Sequence, residues 1–155
     1  MYERILVPVD GSATASRGLD EAINLADRLG SALQLLHVVD VRPLIGDAAI
    51  YAAPGELIDA WQAAGDKLLA AAVERARGRG VQADGALRFD PAQRVCDLIL
   101  REARDSGAGL VVMGTHGRRG FSRLTMGSDA EMVVRESPVP VLLVRAPAAS
   151  ADAGG

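Results

Sequence analysis

The chain has one cysteine in 155 residues. Cys96 therefore has no partner for an intrachain disulfide, and no charged start followed by an apolar stretch marks a secretory signal, so a reduced, cytoplasmic setting is expected. Lysine is equally scarce: Lys67 is the one lysine in a Lys+Arg total of 17. Arginine is not a readily deprotonated nucleophile, which removes the usual actor of Schiff-base chemistry and of a phosphate-binding P-loop. No Gly-x-x-x-x-Gly-Lys-Ser/Thr segment exists, so the chain is not a Walker-type NTPase. The formal net charge of -3 gives no basic footprint for nucleic acid. Long hydrophobic runs are missing as well. Ala32 to Val39 and Val139 to Val144 are too short to span a bilayer, so no membrane partner is expected.

What is present is a regular alternation of strand and helix patterns. Strands are expected at Arg4–Val9, Ala32–Val39, Val81–Phe89, Leu110–Met113 and Val139–Val144. Ser12 is a good N-cap for a helix carrying Ala15, Leu19, Ala22, Ile23, Ala26 and Leu29 on one stripe, and Gly30 supplies its stop. Leu57, Trp61, Ala64, Leu68 and Ala71 mark a second helix ending near Gly78-Arg79-Gly80. Asp90-Pro91 reads as the start of a third, with Gln93 in capping-box register and Ala92, Val95, Ile99 and Ala103 on its apolar face. Asp129–Glu136 is a short fourth helix. A loop without clear period runs from Asp40 to about Gly55. One domain over residues 1–146 is expected, followed by a disordered tail over 147–155.

Several strands are apolar almost continuously, so both faces need cover, and an open parallel α/β sheet with helices on both sides follows. Such sheets bind ligands outside the carboxyl ends of their strands, where strand order reverses. Only Val9-Asp10-Gly11-Ser12 and the loop after Met113 are glycine-bearing turns that lead from a strand into a helix. The strands that end there are expected to be neighbours flanking a crevice.

The second of these turns is the more informative. Gly114-Thr-His-Gly117-Arg-Arg-Gly120-Phe-Ser-Arg-Leu-Thr-Met-Gly127-Ser128 has the form G-x2-G-x9-G-S and runs from strand to helix, the setting in which backbone N–H groups and a helix dipole bind phosphate. Gly78-Arg79-Gly80-Val-Gln-Ala83 matches a dinucleotide fingerprint in letters only, because it leaves a helix and enters a strand.

Taken in order, Ile5-Leu-Val-Pro-Val-Asp10 with Ser12, Leu36-His-Val38, Asp90-Pro-Ala92, Val111-Val-Met-Gly114 with its loop, and Pro138-Val-Pro-Val-Leu-Leu-Val-Arg145 resemble the universal stress protein family. The resemblance covers residues 2 to 145. It implies a Rossmann-like five-stranded sheet of order 3-2-1-4-5, homodimers paired through the last strand (Val139 to Val144), and ATP lying across strands one and four. Carried over, it places the main chain of Val38 at the adenine edge, with Pro8, Val9 and Asp10 lining base and ribose beside the Ser12 turn. Met113 and Gly114 would flank the ribose. Gly117, Gly127 and Ser128 would hold the phosphates, bridged by a divalent ion such as Mg²⁺, with His116, Arg118 and Arg119 in the same loop. Asp129 departs from the apolar residue common after Ser128, and a carboxylate there is expected to repel a triphosphate, with Arg118, Arg119 and Arg123 compensating.

His37, Cys96 and Trp61 read as packing residues, and His116 lacks a carboxylate to orient it for catalysis. No catalytic machinery is evident. The leading expectation is an ATP-binding regulatory module of the stress response, acting as a homodimer. The alternatives are a slow ATP-hydrolysing enzyme, in which Asp10 or Asp129 positions water with a metal, and a structural dimer that binds no nucleotide.

Overall fold

The computed structural model describes residues 1–42, 46, 49–116 and 126–145. Gly117, Arg118, Arg119, Arg123 and the expected tail over 147–155 lie outside them. Among the described residues the elements are β1 (Arg4–Pro8), α1 (Ala13–Leu29), β2 (Ala32–Val38), a 3-10 turn (Ala49–Ala52), α2 (Gly55–Arg77), β3 (Ala83–Arg88), α3 (Val95–Asp105), β4 (Leu110–Gly114), α4 (Ser128–Glu136) and β5 (Val141–Val144). The strands form one sheet in the order β3-β2-β1-β4-β5. All pairings are parallel, with Ile5 opposite Leu33 on one side and Leu110 on the other. The chain order thus reverses between β1 and β4.

Alternation along the strands divides the core into two layers. Ile5, Val7, Leu33, Leu35, Leu110 and Val112 face α1 and α2, meeting Leu19, Ala22, Ile23, Ala26, Leu69 and Val73. Leu6, Leu36, Val111 and Met113 face α3 and α4, meeting Cys96, Ile99, Leu100, Ala130 and Val133. Burying each such Leu, Ile or Val contributes about 1.5–3 kcal/mol before entropy, which is why these strands read as unbroken apolar runs.

Local chemistry fixes the helix ends. Ser12 Oγ accepts the Ala15 N–H at 3.1 Å, and Gly30, at φ 69°, closes α1 with its N–H on the Ala26 carbonyl. The third strand runs through the Asp84-Gly85 pair. A Cβ at Gly85 would stand 2.9 Å from Leu69 Cγ, so the glycine admits the α2 side chains to the sheet. At the last strand Pro140 cannot donate, yet its carbonyl accepts the Val111 N–H at 3.0 Å, extending the contact before Val141.

Asp90-Pro91 does not begin a helix. Asp90 closes a turn instead: its Oδ1 accepts the Ala92 N–H at 2.9 Å and its Oδ2 the Gln93 side-chain amide at 2.6 Å. Arg42 donates to the Gln93 carbonyl at 2.6 Å, holding that turn against the end of β2. The helix starts at Val95, after Arg94, whose N–H donates to Asp97 Oδ2 at 3.3 Å.

Candidate functional site

The turn after β1 is built from its own side chains. Asp10 Oδ1 accepts the Ser12 N–H at 2.8 Å, an Asx turn that takes Gly11 to φ 79° and delivers Ser12 to the N-cap of α1. Val9 continues the pairing beyond β1, its N–H donating to the Leu36 carbonyl at 2.8 Å. His37 donates from Nδ1 to the Val9 carbonyl at 2.7 Å and is buried. Because a carbonyl only accepts, that nitrogen carries the proton. Gly65 of α2 makes room for the ring: a Cβ there would come within 2.8 Å of His37 Cδ2. The expected packing role of His37 is borne out.

At the end of β4 the backbone lies directly on α1. A Cβ at Gly114 would stand 2.7 Å from the Thr14 carbonyl carbon and 2.9 Å from both its Cβ and its carbonyl oxygen. Gly18, one turn along α1, faces the Gly114 nitrogen, where a Cβ would stand at 3.2 Å. The Thr14 hydroxyl donates to the His116 carbonyl. Thr14 is therefore the hinge between the two turns, a role sequence reading missed. Its signal was the Gly18 and Gly114 pair, which marks a close approach of helix and strand.

Beyond Gly114, Thr115 donates its N–H to the Val144 carbonyl at 3.0 Å and its side chain pairs with His116 Nδ1, also at 3.0 Å. Gly127 returns to the same point, its N–H donating to the Thr115 carbonyl at 2.9 Å. Gly127 is then the N-cap of α4, and its carbonyl accepts the first helical bond, from Glu131, at 2.9 Å. A glycine has no side chain to cap with, and none of the described residues is seen to cap this helix end from its side chain. The first-turn N–H groups of Ser128, Asp129 and Ala130 have no carbonyl one turn back to receive them, and Ser128 is exposed.

Asp129 reaches across to the neighbouring helix. Its Oδ1 accepts the Cys96 N–H at 3.1 Å, in the first turn of α3. The carboxylate expected to repel an anion at α4 is thus engaged at the neighbouring helix, where the positive dipole end favours it. Cys96 itself is buried beneath, and burial first, then the Asp129 and Asp97 charges, push its thiol up to about 11. Such a thiol stays protonated and packs as a small hydrophobe.

Thr14, two residues after the Ser12 N-cap, touches Gly114 and His116, and Gly127, just before Ser128 and Asp129, returns to Thr115. Pro8 ends β1, followed by Val9 and Asp10, and Met113 lies near the end of β4, the strand paired with β1. Val38 ends β2, next to β1 in the sheet, paired in register with Arg88. Trp61 packs on Val39 and Val41 below the end of β2. Among the described residues no cluster of three His, Cys, Asp or Glu side chains is placed to hold a metal ion. No helix among them is long and apolar enough to cross a membrane.

The fold has counterparts in known proteins. The structure of hypothetical protein MJ0577 matches with a TM-score of 0.82 at 24% identity, covering 96% of this chain and 99% of that one. A universal stress protein from Archaeoglobus fulgidus, solved in complex with dAMP, matches with a TM-score of 0.65 at 26% identity over 92% and 98% of the two chains. A universal stress protein in complex with cAMP matches with a TM-score of 0.64 at 24% identity over 93% and 97%. In sequence, YxiE of Bacillus subtilis is 34% identical over 155 residues, covering 94% of this chain and all of that protein. MJ0531 of Methanocaldococcus jannaschii is 32% identical, covering 95% and 84%. Both are universal stress proteins. The Universal stress protein family model matches residues 1–145, and with that the chain belongs to the universal stress protein family.

Proposed function

We propose that this chain is an ATP-binding regulatory module of the stress response that works as a homodimer. The observation that carries the reading is the α4 start, which follows the β4 turn and opens on a glycine that cannot cap it, while its first-turn carboxylate Asp129 is held at α3. Anions bind such ends through the N–H groups and the dipole. The dAMP and cAMP complexes of the two neighbours support an adenine nucleotide as the anion's source.

In this reading the Val38 main chain meets the adenine, and Pro8, Val9, Asp10 and Met113 line base and ribose. Val9 acts through its place in the turn, because its carbonyl is occupied by His37 and its side chain is buried in the α1–α2 core. Gly127, Ser128 and the first-turn amides of α4 take phosphate oxygens, with Gly117, Arg118 and Arg119 assigned to the same phosphates. Gly114 sets the distance between α1 and β4, since its Cβ direction is filled by Thr14, and flanks the ribose beside Met113 through its main chain alone. Mg²⁺ would ride on the phosphates and offset their charge. No observation favours hydrolysis: Asp10 accepts at the Asx turn and Asp129 at α3.

The dimer is assigned to β5. It is the edge strand next to β4 alone, and Leu142 on it is 38% exposed. An apolar edge paired with its own copy loses that exposure.

Mass spectrometry of the small molecule released from purified protein, with thermal unfolding in millimolar ATP, tests the nucleotide reading. An adenine nucleotide in the released fraction, and stabilisation of about 2.7 kcal/mol at a hundredfold excess over the dissociation constant, are expected. No nucleotide and no shift in melting temperature would overturn it.

A further inference from the structure

Asp129 does more than avoid the anion. It stands second in α4, after Ser128, and accepts from Cys96, second in α3 after Val95. That amide has no acceptor within its own helix. The residue at the α3 N-cap, Arg94, offers only donors, so the missing cap comes from another helix. The two helices also share a core, where Ala130 and Val133 cluster with Cys96, Ile99 and Leu100.

From this geometry we infer that Asp129 is a positioning residue for phosphate recognition. By capping α3 it fixes the start of α4 against its neighbour and keeps a carboxylate from folding onto the first-turn N–H groups of its own helix. The inference rests on the nucleotide reading above. It reverses the role expected from sequence, in which the same charge weakens phosphate binding.

The test compares ATP and adenosine binding by calorimetry in the wild type, Asp129→Asn and Asp129→Ala. Asparagine keeps an oxygen acceptor and removes the charge, while alanine removes both. Losing a hydrogen bond to a charged group weakens ATP binding by about tenfold in Asp129→Ala, with Asp129→Asn within about twofold of wild type. Adenosine, which lacks phosphate, binds all three alike. Tighter ATP binding in both variants would overturn the inference in favour of repulsion. Equal weakening in both would overturn it in favour of a charge or metal contact, and parallel loss of adenosine would reduce it to general destabilisation.

Amide hydrogen exchange in ligand-free protein separates this inference from the nucleotide reading. The Cys96 amide exchanges about tenfold faster in Asp129→Ala than in wild type and Asp129→Asn. If wild type binds no ATP, the nucleotide reading falls and this exchange alone decides whether Asp129 fixes the helix start. Equal rates in all three proteins would overturn the contact itself.

Discussion

Replacing Gly114 by alanine tests whether its glycine serves packing or ligand. The added methyl would meet the Thr14 carbonyl carbon at 2.7 Å and the Thr14 carbonyl oxygen at 2.9 Å. Both are backbone atoms of the first turn of α1, so no rotamer change relieves them. Either α1 lifts from β4 or the end of β4 moves. Overpacking of this kind costs about 1–3 kcal/mol, and a value near 2 corresponds to about 4–8 °C in a domain of this size. Gly18→Ala is the internal control. Its methyl would approach the Gly114 nitrogen at 3.2 Å, a milder contact, and mid-helix alanine returns about 1 kcal/mol of helix propensity. Urea unfolding without nucleotide is therefore expected to rank wild type and Gly18→Ala close together, with Gly114→Ala clearly below. An unchanged midpoint in Gly114→Ala, combined with lost ATP binding, would refute the packing argument and return Gly114 to direct ligand approach.

Three further outcomes follow from the same geometry. The raised Cys96 pKa keeps the folded thiol protonated while the unfolded thiol ionises above about 9, so its contribution is complete below that pH and is lost as pH rises toward about 11. Wild type should lose up to about 1.4 kcal/mol per pH unit more than Cys96→Ala in that window by urea unfolding, and identical slopes would contradict the burial. Glu102 is buried against Arg88 at 2.8 Å and the Gln34 amide at 3.1 Å. Arg88→Ala should cost about 1–2 kcal/mol, reduced from the fully buried case because Arg88 is half exposed, and adding Glu102→Leu should recover part of it; a further loss in the double variant would refute this. Leu142→Glu on the exposed face of β5 is expected to give a monomer by light scattering at micromolar concentration, where wild type gives a dimer; a wild-type monomer would remove the dimer proposal.

Much of this fold was legible because its strands are covered on both faces. Leu6, Val7, Leu33, Leu35, Val111 and Val112 read as buried without any knowledge of partners, and parallel order follows from helices between them. Ser12 and Gly30 were legible because they cap a helix with atoms of their own segment. What escaped was set by distant neighbours. Asp90-Pro91 has the composition of a helix start, yet Arg42 holds the Gln93 carbonyl and Asp129 caps the true start, from 51 and 33 residues away in sequence. Gly114 reads as a ligand glycine because loop glycines before helices often are. The side its Cβ would occupy is visible only once α1 lies across β4.

Phosphate at the α4 start, between the turns after β1 and β4, is what the nucleotide reading stands or falls on. Backbone amide chemical shifts recorded during titration with ATP and Mg²⁺ test it most directly. Saturable shifts are expected at Gly11 and Ser12, Val38 and Val39, Gly114 and Thr115, and above all Ser128 to Ala130. Saturable shifts confined to the α1 and α2 face, for example Leu68 to Arg75, or no shifts at millimolar ATP, would contradict it.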